Sequence, residues 1–502
     1  MPHETPCSFR LIAGVILMAA ASTAVAQAVA SSPKSIPAER AVMAKPLPAP
    51  PDPQIAAALK QVSAAQIQAT IEKLVSFGTR LTIGENPAPS GRGIAAARAW
   101  IKSEFERYSQ ACGGCLEVKT DVFTEQPRPR VPKPTEIVNV YAVLKGADPQ
   151  AAKRIVLVSG HYDSRPSNDQ DLQADAPGAN DDGSGTAVSL ECARVLSKYK
   201  FPATIIFLTV AGEEQGLLGS AHFAEMAKQQ GWNIEAVLNN DIVGGDKTPG
   251  QDHSVVRVFS EGIPLVDLGQ RRPSPPQLDP SKKPDGAVPL DQLPNLPAIA
   301  AIRSLGAESD SLSREEARYL RQAGAQYLPP SFQPLLVFRP DRYLRGGDHT
   351  SFNRLGFAAV RITEYRENYH HQHQTPRTEN GIEYGDLPKF VDYEYVANVA
   401  RLNAATLASL ASAPAPPAKV RIEAQKLDND STLMWDASPD GRAARYEVLW
   451  RATTSADWEH VVPAAGLTET TVSVSKDNVV FGVRAVDAQG RRSLVVLPRP
   501  DR

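Results

Sequence analysis

Apolar residues recur at helical spacing over Ile55–Phe77, and again over Ile94–Tyr108, where Ile94, Ala97, Ile101 and Phe105 share a face. Short runs that are apolar throughout follow at Val138–Leu144, Ile155–Ser159 and Thr204–Val210. Helical patterns over Thr186–Ser197 and Leu217–Lys228 alternate with them, and Val237–Asn239 and Ala359–Thr363 are further strand candidates. Strands without a polar face belong in a sheet covered on both sides. Their alternation with helices predicts an α/β fold with a mostly parallel central sheet flanked by helices. Such sheets carry their chemistry at the carboxyl ends of strands. In this chain polar motifs repeatedly sit just past an apolar run.

The pattern changes after Pro414–Pro417. Period-two strands are predicted at Lys419–Glu423, Thr432–Trp435, Tyr446–Trp450, Thr470–Val474 and Val479–Val486. They imply a C-terminal β-sandwich of about 85 residues. At the other end, Arg10 precedes an uncharged stretch, Leu11–Ala30, whose apolar part is too short to span a bilayer and which contains Ala24-Val25-Ala26. This reads as a cleaved secretory signal, so a periplasmic or extracellular location is expected, with no membrane span after cleavage. The expected organisation is a signal over 1–26, a linker or short pro-segment over 27–52, the α/β domain over 53–412, a linker over 413–418 and the β domain over 419–502. Eight prolines in residues 273–297 suggest a covering loop or an inserted arm near the site.

Composition narrows the function. A chain of 502 residues fits two to four domains at roughly 150 residues each. Lys+Arg 54 against Asp+Glu 56 leaves a net charge of -2, which argues against a nucleic-acid binder and against a disordered charged chain. Four cysteines exclude a disulfide-built fold. Cys112-Gly113-Gly114-Cys115, in an exported protein, reads as a structural disulfide, because a redox site would need a strand–helix setting that is missing. Cys192 lies in an apolar run and reads as a buried thiol.

Five segments hold polar residues that an ordinary core would exclude: SGHYDS, PGANDDGSG, AGEEQG, NNDIVGG and RGGDHTSF. They supply His161, Asp181, Glu214, Asp241 and His349, two imidazoles and three carboxylates. If Asp181 bridges two metal ions, Glu214 with His349 can complete one site and Asp241 with His161 the other. Mixed nitrogen and oxygen ligands suit two Zn2+ ions, which can hold a nucleophilic hydroxide between them. Glu213 adjoins Glu214 and is then free to act as general base and later general acid. Asp163, two residues past His161, is placed to orient its ring through the other nitrogen.

These five segments resemble peptidase family M28, zinc metallopeptidases that include bacterial aminopeptidases. The match runs from about Gln54 to Ala411. It implies a co-catalytic dizinc site with His161, Asp181, Glu214, Asp241 and His349 as ligands, Glu213 as the catalytic base and Asp163 as the partner of His161. It also implies a cis peptide between Asp181 and Asp182. Tyr343 and Tyr369 are the candidates for the oxyanion-supporting residue such enzymes often carry. The sequence departs from the common pattern where members read Tyr-His-Thr-Pro followed by Asp-Thr. Here Asn368–Thr378 reads NYHHQHQTPRT, whose histidines His370, His371 and His373 either bind substrate or stand in a surface loop. The insertion from Thr248 to Arg339 is a second departure.

The C-terminal segment resembles a fibronectin type III domain, on Trp435, Tyr446–Arg451 and Val483–Asp487 followed by Gly490 and Ser493. It implies a spacer, or a module that docks on substrate or cell surface. The expected activity is that of a secreted zinc aminopeptidase acting on peptide substrates. Carboxypeptidase or dipeptidase action on small peptides is the near alternative, and a blocked N-terminus separates the two. A glutaminyl-cyclase-like activity generally uses a single zinc, whereas five ligands stand here. A non-enzymatic binding protein with the same fold would have lost ligands, and none is lost.

Overall fold

The computed structural model describes residues 35–36, 46, 49–84, 91–263, 305–307, 309–464 and 468–501. The export segment and the proline-rich stretch 273–297 lie outside them. An eight-stranded sheet runs through the centre, in the order β2-β3-β5-β4-β6-β9-β7-β8. Its strands are β2 (Leu116–Glu125), β3 (Thr135–Leu144), β4 (Arg154–His161), β5 (Thr204–Val210), β6 (Asn233–Asn240), β7 (Val255–Ser260), β8 (Gln333–Val337) and β9 (Val360–Glu364). The four inner strands β5, β4, β6 and β9 are parallel to one another. Antiparallel pairing appears outside them, at β2–β3, β3–β5 and β7–β9.

The inner strands are the apolar runs of the sequence. All seven residues of β5 and all five of β9 are buried. Helices α1 (Pro53–Leu59), α2 (Ala64–Val75), α3 (Ile94–Ala111), α4 (Gly183–Leu196), α5 (Leu218–Gln229), α6 (Leu312–Tyr327), α7 (His349–Arg354) and α8 (Tyr393–Ser412) accompany the sheet. Residues from α1 to α4, from α8 and from one face of the sheet form one continuous core. Phe223, Ala224, Ala227 and Phe352, from α5 and α7, cover Leu157, Ile206 and Leu208 on the other face. Asn240, at the end of β6, exchanges two side-chain hydrogen bonds with Asn403 of α8, at 2.8 and 3.0 Å. That amide pair fixes the register of a long apolar helix against the strand that leads to Asp241.

The insertion is not merely a loop. Its described residues add β7, β8 and α6 to the edge of the sheet beside β9. The C-terminal residues form two sheets around one core that includes Leu433, Trp435, Val448, Trp450 and Val483. One sheet holds β12 (Ala418–Glu423), β13 (Ser431–Asp436), β16 (Glu469–Val472) and β18 (Arg499–Asp501); the other holds β14 (Arg445–Ala452), β15 (His460–Ala464) and β17 (Val479–Val486). Ser35–Ile36 (β1), within the stretch expected to be a linker or pro-segment, runs parallel to β16.

Helix α6 also joins the insertion to these sheets. Arg318 is buried, pairs with Glu315, and donates to the Ala456 carbonyl at 2.6 Å. Trp458 donates to Glu315 at 3.0 Å, and Arg451 pairs with Asp310. The Pro-rich stretch after α8 is packed as well, since the Ala413 carbonyl accepts from both Arg154 and Arg442. Truncating one partner of a buried ion pair leaves the other charge stranded. Arg318→Ala is therefore expected to lower unfolding stability by about 3–5 kcal/mol. A urea midpoint that falls at constant slope, with the shift times the slope equal to this energy, would bear that out; an unmoved midpoint would mean the two parts stabilise one another little.

Candidate metal centre

Because β4, β5, β6 and β9 are parallel, their carboxyl ends meet at one edge of the sheet. His161 is the last residue of β4, and Asp241 follows β6 directly. Glu213 and Glu214 lie in the turn between β5 and α5. Asp181 precedes α4, whose amino end is capped by Asp182. The Asp181–Asp182 peptide is cis, as the resemblance implies.

Asp182 ties three elements together. Its carboxylate accepts from the backbone N–H of His161 at 3.0 Å, of Gly185 at 2.8 Å and of Ile242 at 3.3 Å. The strand ends and the helix start therefore hang on one buried side chain. Gly185 has to be glycine here, because a Cβ would stand 2.3 Å from the Asn240 carbonyl. Asp386 does the same for Asp181, accepting from the N–H groups of Asn180 at 2.8 Å and Asp181 at 2.7 Å. Burial pushes the Asp386 carboxyl up to about 7.

The Asp181 carboxylate faces two histidines. Its Oδ1 lies 3.2 Å from His161 Nε2 and its Oδ2 lies 2.8 Å from His373 Nε2. His373 Nε2 is also 3.1 Å from Glu214 Oε1. Two groups of donor atoms result, each within 4.8 Å of its own members: His161, Glu213 and Asp241, and Asp181, Glu214 and His373. His161 Nδ1 lies 3.2 Å from the Asp163 backbone carbonyl and 3.4 Å from its carboxylate. A carbonyl can only accept, so Nδ1 carries a proton. The Asp163 carboxylate also accepts from Thr82 at 2.9 Å and from the Glu214 N–H at 3.2 Å.

His349 joins neither group among the described residues. Its ring is buried, and Nε2 donates to the Pro340 carbonyl at 2.8 Å, with Asp341 at 3.8 Å. A Cβ on Gly347 would meet Asp241 Oδ2 at 3.2 Å and His349 Nδ1 at 3.4 Å, so the ring stands behind Asp241. Arg361, beside it, pairs with Asp241 Oδ2 at 2.8 Å and holds that carboxylate from the back. His373, in the second group, comes from the loop of three histidines. Of the other two, His371 is buried, pairs with Asp246 and stacks on Phe390 at 3.6 Å between centroids. His370 is exposed and packs beside Tyr384. Tyr343 and Tyr369, the oxyanion candidates, are 79% and 63% exposed, and among the described residues no hydrogen bond ties either hydroxyl to the centre.

The local field asks for positive charge. Burial opposes protonation of His161, yet the carboxylates of Asp163, Asp181 and Asp241 draw its pKa well above the ordinary value. Burial opposes it at His373 too, and Glu214 and Asp181 push that imidazole up to about 10. Glu213 is raised well above the usual carboxylate range by burial, and further by Asp241, Glu214 and Asp348. Among the described residues, the buried His161 Nε2 and Glu214 Oε1 have charged neighbours, Asp181 and His373, at 3.2 and 3.1 Å but no aligned hydrogen bond. Buried nitrogen and oxygen donor atoms inside a ring of carboxylates are what zinc fits.

Comparison with known proteins agrees with this chemistry. Residues 139–255 match the model of peptidase family M28. A probable zinc metalloprotease of Pyrenophora teres f. teres (strain 0-1) is 43% identical over 460 residues, covering 90% of this chain and 88% of the relative. Another, from Pyricularia oryzae, is 41% identical over 462 residues, covering 90% and 85%. Among solved structures, the Legionella pneumophila LapA aminopeptidase is 21% identical, with a TM-score of 0.46 over 72% of this chain and 75% of that one. On its identity to full-length relatives, the chain belongs to peptidase family M28, the family its five polar segments resemble.

Proposed function

We propose that this peptidase is a zinc-dependent aminopeptidase with two metal sites that share Asp181. The observation that carries the reading is the Asp181 carboxylate, with one oxygen on His161 and the other on His373. His161 and Asp241 complete one site, and Glu214 and His373 the other. Zinc bound there supplies Lewis acidity, polarising a carbonyl oxygen and acidifying a water molecule.

The rest is the work of the chain. Asp181 serves both sites, so Glu213 is not needed as a ligand and keeps a carboxylate for proton transfer. Its high proton affinity suits a group that accepts a proton from water and returns it to the leaving amine. Asp163 holds the His161 side chain and the Glu214 backbone together. Arg361 and Asp386 hold Asp241 and the Asp181 backbone from outside the ring of ligands. The carboxylates of Asp181, Glu213, Glu214 and Asp241 make the pocket a favourable place for the positive amino end of a peptide.

One observation favours the neighbouring reading. Arg165, largely buried, has its Nε 3.9 Å from Glu214 Oε2, and a guanidinium there can receive the free carboxylate of a small peptide. Cleavage of peptides with free, acetylated and amidated ends separates the two. An aminopeptidase is expected to lose acetylated substrates and keep amidated ones; a carboxypeptidase does the reverse. Incubation with a chelator is expected to abolish turnover, and zinc to restore it. Activity that survives metal removal would overturn the proposal. The Cys112–Cys115 disulfide supports export to an oxidising compartment. Mass spectrometry of the mature protein is expected to find Gln27 at its N-terminus, and retention of residues 1–26 would refute export by a cleaved signal.

No helix among the described residues is long and apolar enough to cross a membrane.

A further inference from the structure

We propose that Gln372 receives the free α-amino group of the peptide substrate on its side-chain Oε1. The inference rests on the aminopeptidase reading and adds a residue to it. Gln372 is only 7% exposed, and its Nε2 stands 3.0 Å from Asp181 Oδ2. A carboxylate can only accept, so the amide end nearest Asp181 is the NH2 group. That fixes the orientation by chemistry and leaves the carbonyl end as the free one. The two ends of an amide are roughly 2.3 Å apart, so Oε1 stands within about 5 Å of the Asp181 carboxylate. Oε1 is buried and has no hydrogen-bonding partner among the described residues.

The side chain is held where it is. The backbone N–H groups of His371 and Gln372 both donate to the Asn368 carbonyl at 3.0 Å. His371, one residue before, is clamped between Asp246 and Phe390, and His373, one residue after, reaches Asp181 and Glu214. A fixed, dry acceptor beside the shared carboxylate calls for a donor from the ligand. The amino end of a peptide is such a donor and carries the charge that the surrounding carboxylates attract. A peptide with its α-amine replaced by hydrogen offers nothing there.

The test uses zinc-loaded protein with Glu213→Gln, so that peptides bind without turnover. Calorimetry compares a leucyl tripeptide with its des-amino counterpart, in which 4-methylpentanoate replaces leucine. With Gln372 in place, the leucyl peptide is expected to bind more tightly. Gln372→Leu should shrink that preference about tenfold or more while leaving the des-amino peptide within about twofold. Gln372→Glu, which keeps an acceptor at the same place, should retain the preference. Zinc titrated into the metal-free forms should bind with unchanged stoichiometry and affinity. The assignment fails if the preference survives in Gln372→Leu, if both peptides weaken equally, or if zinc affinity falls with the preference, since Gln372 then only steadies Asp181. An enzyme with Gln372 intact that cleaves acetylated peptides as well as free ones would instead sink the aminopeptidase reading, and this assignment with it.

Discussion

Glu213→Gln is expected to leave a folded protein that binds two zinc ions and hydrolyses peptides about 10²–10⁴ times more slowly. The substitution keeps the size of the side chain and removes its ability to hold a proton in transit. The expectation turns on a choice the geometry leaves to be tested. Glu213 lies within ligand distance of His161 and Asp241, so it is able to complete that site in place of Asp181. Asp181 is the better candidate, because its Oδ1 is already 3.2 Å from His161 Nε2 while its other oxygen serves His373. Zinc content by elemental analysis, read with kcat, separates the roles. Full zinc with lost turnover assigns Glu213 to proton transfer. Loss of one zinc together with turnover would make it a ligand and leave the chemistry without a base.

What the sequence makes legible follows from strand ends. His161, Glu213, Glu214 and Asp241 each lie just beyond a short apolar run, and the parallel order of β4, β5 and β6 brings such positions to one edge. Asp181 is legible because glycines surround it ahead of a helix. His373 has neither signal. It sits in a loop with two other histidines, and only tertiary packing tells the buried His371 from the one that faces Asp181. His349 has a polar neighbourhood that looks like a ligand segment, yet its ring turns behind Asp241 to a backbone carbonyl and Arg361. Asp386 was hidden for a different reason. The hairpin of β10 (Arg377–Glu379) and β11 (Ile382–Tyr384) stands between Thr375-Pro376 and the aspartate that reaches Asp181. Strands β7 and β8 escaped as well: Val255–Ser260 is interrupted by Arg257, whose guanidinium reaches the Glu364 carbonyl at the end of the neighbouring strand β9 and Glu367 just past it. Period and polarity report which face of an element is buried; they do not report which loop closes over it.

The exchange of His349 for His373 makes the second large expectation. His373→Ala removes the nitrogen that faces both Asp181 Oδ2 and Glu214 Oε1, so it should weaken zinc at one site by roughly 10²-fold or more and lower turnover with it. Zinc at the other site should persist, because His161 and Asp241 are untouched. His349→Ala should behave differently. It deletes a buried ring that donates to the Pro340 carbonyl, and is expected to cost about 1–3 kcal/mol of stability while two zinc ions remain bound. Zinc titration of the two variants, beside their urea unfolding curves, reads both effects at once. If His349→Ala lost a zinc and His373→Ala kept both, the first expectation from sequence would stand and the metal centre drawn here would have to be rebuilt around the other side of Asp241. The contrast is sharp because the two rings face different carboxylates: His373 faces Asp181 and Glu214, whereas His349 lies with Arg361 near Asp241 and Asp341. The expectation is therefore that one pocket separates a histidine that holds metal from one that holds the protein.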